Sequence, residues 1–133
     1  MIVDIVTTDR RLFSGEAVFV AAPAADGEIG IMRAAAPVIS TLRTGEVRVK
    51  TDEAAPARRF AVAGGYLESD GYKIVVLANH ALDVADVDVE FARERVAKNQ
   101  QRLAEVAEGD ARAVFYQEEI AWQQHLISLA EKQ

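Results

Sequence analysis

With 133 residues, half of them hydrophobic and 27% charged, the chain has the length of one domain or of one domain with an appendage. Its net charge of −6 argues against nucleic acid as a partner, because phosphate binding needs clustered Lys and Arg, and here such residues stand in isolated pairs like Arg10-Arg11 and Arg58-Arg59. Cysteine is absent, which removes disulfides, thiol nucleophiles and thiolate metal sites together, and no run of roughly 18 apolar residues offers a membrane span.

The first eleven residues lack a basic segment followed by an apolar one, so no secretory signal is visible and the expected compartment is the cytosol. Up to about residue 83, short apolar runs alternate with Gly, Pro and Asp turns. Strands are expected at residues 2–7, 18–22, 28–32, 38–42, 46–50 and 59–63, with a hairpin formed by 66–68 and 72–77 around Asp70-Gly71. Residues 46–50 alternate cleanly, Val47 and Val49 on one face, as a half-buried strand does. Residues 18–22 and 73–77 are apolar on both faces and are expected to be covered twice. Residues 51–57 read as a hairpin loop, and Gly64-Gly65 as a bend or bulge rather than a phosphate loop, since no Lys-Ser or Lys-Thr follows. Gly15, Gly27 and Gly30 are expected to permit bends, and Pro23 and Pro37 to close strands. Short strands with frequent turns imply a sandwich or flattened barrel.

Beyond residue 83 Pro is absent, Gly occurs once, and helical periodicity takes over. Val89, Ala92, Val96, Leu103 and Val106 share a face, with Asp86 or Asp88 as N-cap and Arg93, Arg95, Lys98 and Arg102 toward solvent. Gly109 and Asp110 are expected to cap the first helix and start a second over residues 111–130, giving an antiparallel hairpin. Asn99 falls on its apolar seam, and both helices are Ala-rich, so this half is expected to be the less stable.

Chemistry has little to work with. His80 and His125 are isolated from any nucleophile elbow or metal-ligand spacing, and no carboxylate sits in an apolar run that would raise its pKa. Phe115, Tyr116 and Trp122 read as packing residues. No cofactor and no metal are expected.

The runs FSGE at 13–16, DGEIGI at 26–31, AAPVIS at 35–40, GEVRV at 45–49 and GGYLE at 64–68 occur in a fixed order ahead of the helical hairpin. In that order the chain resembles the epsilon subunit of the F-type ATP synthase over nearly its whole length. The resemblance implies a flattened β-sandwich of about ten strands over residues 1–84, then a helical hairpin over 85–133 with a regulatory role open to it. It implies a non-catalytic rotor part joining the gamma subunit to the membrane c-ring, held at the cytoplasmic face of the bacterial plasma membrane and monomeric when isolated. The c-ring contact falls on Asp26 and Glu28, whose carboxylates suit basic polar loops. The gamma contact falls on Ala35, Pro37, Val38 and Ser40, where Ala34 and Ala35 replace the family's glycine and histidine. Some members bind ATP through an Asp and an Arg opening the first helix. Here Asp88 matches and Phe91 replaces the arginine, so a free-standing nucleotide sensor is the rival reading and is disfavoured. The hairpin's contact with the alpha and beta catalytic subunits is expected to inhibit weakly, because between residues 114 and 133 Lys132 is the one full cation against Glu118, Glu119 and Glu131.

Overall fold

In a computed structural model, which describes residues 1–132, the alternating run Glu46-Val47-Arg48-Val49 is a strand whose two valines lose all contact with solvent. Eight strands precede two helices: β1 (Ile2–Val6), β2 (Arg11–Glu16), β3 (Phe19–Ala24), β4 (Gly27–Met32), β5 (Val38–Thr41), β6 (Gly45–Lys50), β7 (Arg58–Ser69) and β8 (Lys73–Asp83). A short 3-10 turn at Val84–Asp86 leads to α1 (Val89–Glu105) and α2 (Arg112–Glu131). The chain divides into two compact units, Met1–Asp83 and the segment from Val84 onward.

The hydrogen-bonded path runs β2-β1-β8-β7-β6-β3-β4, with β5 on the far half of β7. The first half of β7 pairs with β6, from Arg58 to Val62, and its second half with β5, from Tyr66 to Ser69. Between these halves Gly64 and Gly65 take φ of 70° and 110°, values that suit glycine and carry the β7–β8 hairpin from one layer into the other. The pairing register is unbroken across them, so this is a bend without a bulge. Counting each half of β7 and β8 separately turns the eight continuous strands into the ten segments expected of the sandwich. The N-terminal strand β1 joins β8 in parallel, setting Val3 beside Ile74 and Ile5 beside Val76 in the core.

Val3, Ile5, Val20, Val47, Val49, Phe60, Val62, Leu67, Ile74 and Val76 are fully buried between the layers. At about 1.5–3 kcal/mol for each such side chain, this cluster is the principal source of the sandwich's stability.

Several expectations need correction. The strand β2 has no alternating signal, since Ser14 and Gly15 form poor strands; it is an edge held by partners. Phe13 packs on Phe60 at 5.9 Å between ring centres, Arg58 lies over both rings, and Ser14 Oγ donates to Asp4 Oδ1 at 2.6 Å. Gly15 therefore sits inside a strand opposite Val3 and makes no bend. Gly30 also lies within a strand, where a Cβ would meet the Phe19 ring at 2.9 Å. Pro23 does not end β3; it lies beyond the three residues of β3 that pair with β6, where its missing N–H costs nothing on that side. The start of β8 is covered on one face only. Val75 is half-buried because its cross-strand neighbours on that face are Asp4 and Glu68.

In the second unit Asp88 caps α1, its Oδ1 accepting from the Phe91 amide at 3.1 Å. The helix ends at Glu105, well before Gly109, whose φ of 83° serves the connecting loop rather than a cap. Asp110 ties the start of α2 by accepting from the Arg112 amide at 2.9 Å, and its carboxylate also takes the Arg112 guanidinium at 2.7 Å. The seam is as thin as its composition suggests: Ala92, Leu126 and Leu129 are buried, together with the polar Asn99 and Gln123. Arg93 stays exposed as expected while pairing with Glu131, and Arg95, half-buried, reaches across the hairpin to Glu119.

The Arg112 hydrogen bonds hold the Asp110 carboxyl down to about 2. A folded-state pKa below the unfolded value near 3.9 stabilises above that value and is lost as pH falls toward 2. Acidification from about pH 4 to 2 should therefore loosen the α1–α2 turn, and a carboxyl-detected NMR titration should place the Asp110 midpoint below every unperturbed aspartate.

Candidate interaction surfaces

The two segments expected to make contacts, around residues 26–28 and 35–40, meet side by side in the fold. A two-residue turn, Ala25 and Asp26, joins β3 to β4, with Gly27 at a φ of 131°. Ala24 bridges to Leu42 just past β5, and the Ala25 amide donates to Ser40 Oγ at 3.2 Å. Ser40 in turn donates to the Thr41 carbonyl at 2.9 Å, which fixes its hydroxyl. The acidic turn and the β5 edge are thus locked onto one body.

Asp26 and Glu28 are both exposed but differ in their engagement. Glu28 is ion-paired with Arg48, which also reaches Glu46, and Glu46 takes Arg59 at 2.7 Å. This row of alternating charges crosses the outer face from β4 through β6 to β7. Asp26 has no ion-pair partner among the described residues and points its charge outward from the turn.

Residues 33–37 connect the two layers and are pinned at their middle. The Ala34 amide donates to the Gly71 carbonyl at 2.8 Å, and the Ala35 amide to the Met32 carbonyl at 3.1 Å. Ala35 and Val38 are half-buried and pack against the core, Pro37 is exposed and Ser40 is half-buried. Residues not singled out beforehand are the ones the surface presents: Ile39 is 74% exposed, Met32 61% and Tyr72 59%. The alternation of β5 held the signal for Ile39, which must face out if Val38 and Ser40 face in. Tyr72 carried none, because its position follows from Gly71 meeting the residue 33–37 loop.

The family model described as ATP synthase, Delta/Epsilon chain, beta-sandwich domain matches residues 1–84. The ATP synthase epsilon chain of Alkalilimnicola ehrlichii is 41% identical over 81% of this chain and 76% of its own length. That of Brevibacillus brevis is 40% identical, covering 79% of each chain. The chain belongs to the ATP synthase epsilon-chain family. It is accordingly a non-catalytic subunit. A chain in the structure of the Euglena gracilis mitochondrial ATP synthase, solved with OSCP, F1 and c-ring, shares the fold at 15% identity with a TM-score of 0.75, over 96% of this chain and 79% of that one. No described helix is long and apolar enough to cross a membrane, and no described cluster of three or more His, Asp or Glu could hold a metal ion.

The Asp88 carboxylate is occupied as a helix cap, and Phe91 is 57% exposed beside it.

Ala34 is the one non-glycine residue with positive φ among those described, at 65°. The left-handed region costs an L-residue roughly 1–2 kcal/mol, partly offset for glycine by the entropy of its unfolded chain. Ala34→Gly should therefore stabilise the sandwich by about 1 kcal/mol in urea unfolding. A loss of stability would mean that Ala34 makes contacts outweighing its backbone strain.

Proposed function

We propose that this epsilon chain is the joint of the central stalk, passing c-ring rotation to the gamma subunit and so to the catalytic head. The observation that carries the reading is the Ala25–Ser40 hydrogen bond, which joins the acidic β3–β4 turn to the exposed β5 edge on one close-packed sandwich. Asp26, unpaired, is the carboxylate offered to the basic polar loops of the c-ring, and Glu28, held by Arg48, stiffens the strand behind it. The gamma side takes the segment of Ala35, Pro37, Val38 and Ser40. Ile39 supplies the exposed apolar contact there, while Ala35 and Val38 support it from within. The assembly would place the chain at the cytoplasmic face of the bacterial plasma membrane as a peripheral part.

The test is a calorimetric titration of the chain into a gamma-containing catalytic core stripped of its own epsilon. Tight one-to-one binding is expected. No binding at micromolar concentrations would remove the assigned role and leave the fold standing.

The α1–α2 hairpin should inhibit ATP hydrolysis weakly through alpha and beta. Glu118 is exposed on α2, while Glu119 and Glu131 are already committed to Arg95 and Arg93. Truncation after Ala85 should leave the hydrolysis rate of the assembled complex within about twofold, a limit set by how little exposed charge pairs contribute. A many-fold rise that fades at high salt would show an electrostatic grip that this charge pattern does not supply.

A further inference from the structure

Cysteine is absent, so the two methionines are the side chains of this molecule that a hydroperoxide oxidises most readily. They differ in access. Met1 is half-buried and packs against the sandwich core, whereas Met32, the last residue of β4, is 61% exposed. The backbone beneath Met32 is held on both sides. It pairs in register with Phe19 of β3, and its carbonyl accepts from the Ala35 amide at 3.1 Å. The Ala34 amide, in the same loop, donates to the Gly71 carbonyl at 2.8 Å. Tyr72 follows Gly71 and is fixed through its amide, which donates to Asp70 Oδ1 at 2.8 Å. Met32 and Tyr72 thus stand at the two ends of one hydrogen-bonded frame, both more than half exposed. Ala35 and Pro37, assigned above to the gamma contact, belong to the loop that leaves Met32.

We propose that Met32 is an oxidation site whose sulfoxide weakens docking of this chain to the gamma subunit. The inference rests on the coupling role and concerns its regulation. A lone pair of Met32 Sδ attacks the terminal oxygen of a hydroperoxide. An S–O bond forms, the O–O bond breaks, and the sulfur gives up the two electrons that the peroxide takes. The proton of the transferred oxygen passes to the departing one, which leaves as water or an alcohol. A dithiol reverses the step: two electrons and two protons restore the thioether, the oxygen leaves as water, and the dithiol becomes a disulfide. The sulfoxide is polar and hydrated, so covering it with an apolar partner surface carries a desolvation cost that the thioether does not. Folding is spared, because the Met32 side chain lies largely in water while its backbone bonds are untouched. At Met1 the balance is reversed, since a sulfoxide there would stand against the core. Access therefore directs the oxidant to the methionine at which docking is changed and the sandwich is not.

The test treats the full chain with hydrogen peroxide and follows it by peptide mass mapping, urea unfolding and titration into the gamma-containing core. Met32 should gain one oxygen roughly tenfold faster than Met1, as its greater exposure dictates. The chain oxidised at Met32 should bind the core roughly tenfold more weakly than untreated chain, with its urea midpoint unchanged. Reductases for the two sulfoxide epimers, supplied with a dithiol, should restore the affinity. Met32→Leu, whatever its starting affinity, should lose no more than about twofold on the same treatment, because leucine has no sulfur to oxidise. Oxidation of Met1 at the rate of Met32 would overturn the proposal, as would Met32-oxidised chain that binds like untreated chain. So would an equal loss of affinity in peroxide-treated Met32→Leu, which would place the damage elsewhere. If untreated chain did not bind the core at all, the coupling role would fail and this control with it. Tight binding before peroxide and after it would sink the control alone.

Discussion

Gly65→Ala should cost the sandwich about 3 kcal/mol or more, enough to unfold a marginally stable domain. A Cβ at this position would stand 2.0 Å from the Leu77 carbonyl oxygen and 2.8 Å from the Ala78 Cα, with the backbone at a φ of 110°. Both neighbours are main chain in the paired strand β8, so neither can rotate away. Gly64 is the informative comparison. Its φ of 70° lies in the ordinary left-handed region, and the nearest atom to its Cβ is the Asn79 side-chain amide nitrogen at 2.6 Å. That side chain can swing aside, so Gly64→Ala should cost only about 1–2 kcal/mol. Urea unfolding of the two variants measures the difference directly. A Gly65→Ala protein as stable as wild type, or less destabilised than Gly64→Ala, would mean that the β7–β8 hairpin does not cross between layers at this point.

The contrast also explains what could be read in the amino-acid order. Gly64-Gly65 announces a departure from extended backbone, but only the paired register shows that β7 and β8 run through it and serve both layers. Alternation at residues 46–50 was sufficient because one face is buried and the other wet. The β2 edge was illegible for the opposite reason: Ser14 and Gly15 are in a strand through what Phe13, Asp4 and Val3 do around them. Asn99 on the seam was visible from periodicity alone, whereas its unpaired oxygen depends on where Arg95 and the facing helix lie. The interaction surface was legible in part. The ordered motifs pointed to residues 26–28 and 35–40, yet alternation within β5 decides that Val38 supports and Ile39 meets the solvent. Ser40 illustrates the limit: its hydroxyl joins two segments through a bond to Ala25 that no local pattern encodes.

Ile39→Lys should leave the fold intact and weaken binding to the gamma-containing core by roughly thirtyfold or more, the loss typical of a central apolar contact. The two halves of this expectation rest on different observations. Ile39 is 74% exposed, and its cross-strand neighbour on β7 is Glu68, so lysine gains a partner of opposite charge on the same face. Stability should stay within about 0.5 kcal/mol, as for other surface substitutions. Among the named strands β5 pairs with β7 alone, the Ala24–Leu42 bridge lying just past its end. A lysine on an open edge deters a second protein from settling there, because docking must strip its ammonium of water. Ile39→Val keeps the apolar contact and should bind within about threefold of wild type, since one methylene contributes little. The calorimetric titration that tests the coupling role reads both variants. If Ile39→Lys bound as tightly as wild type while Asp26→Lys did not, the gamma subunit would be seated away from β5, and the acidic turn alone would carry the docking. If both variants bound normally, the outer row from Glu28 through Arg48 and Glu46 to Arg59 would be the face to test next, since its linked charges form an ordered polar surface across three strands.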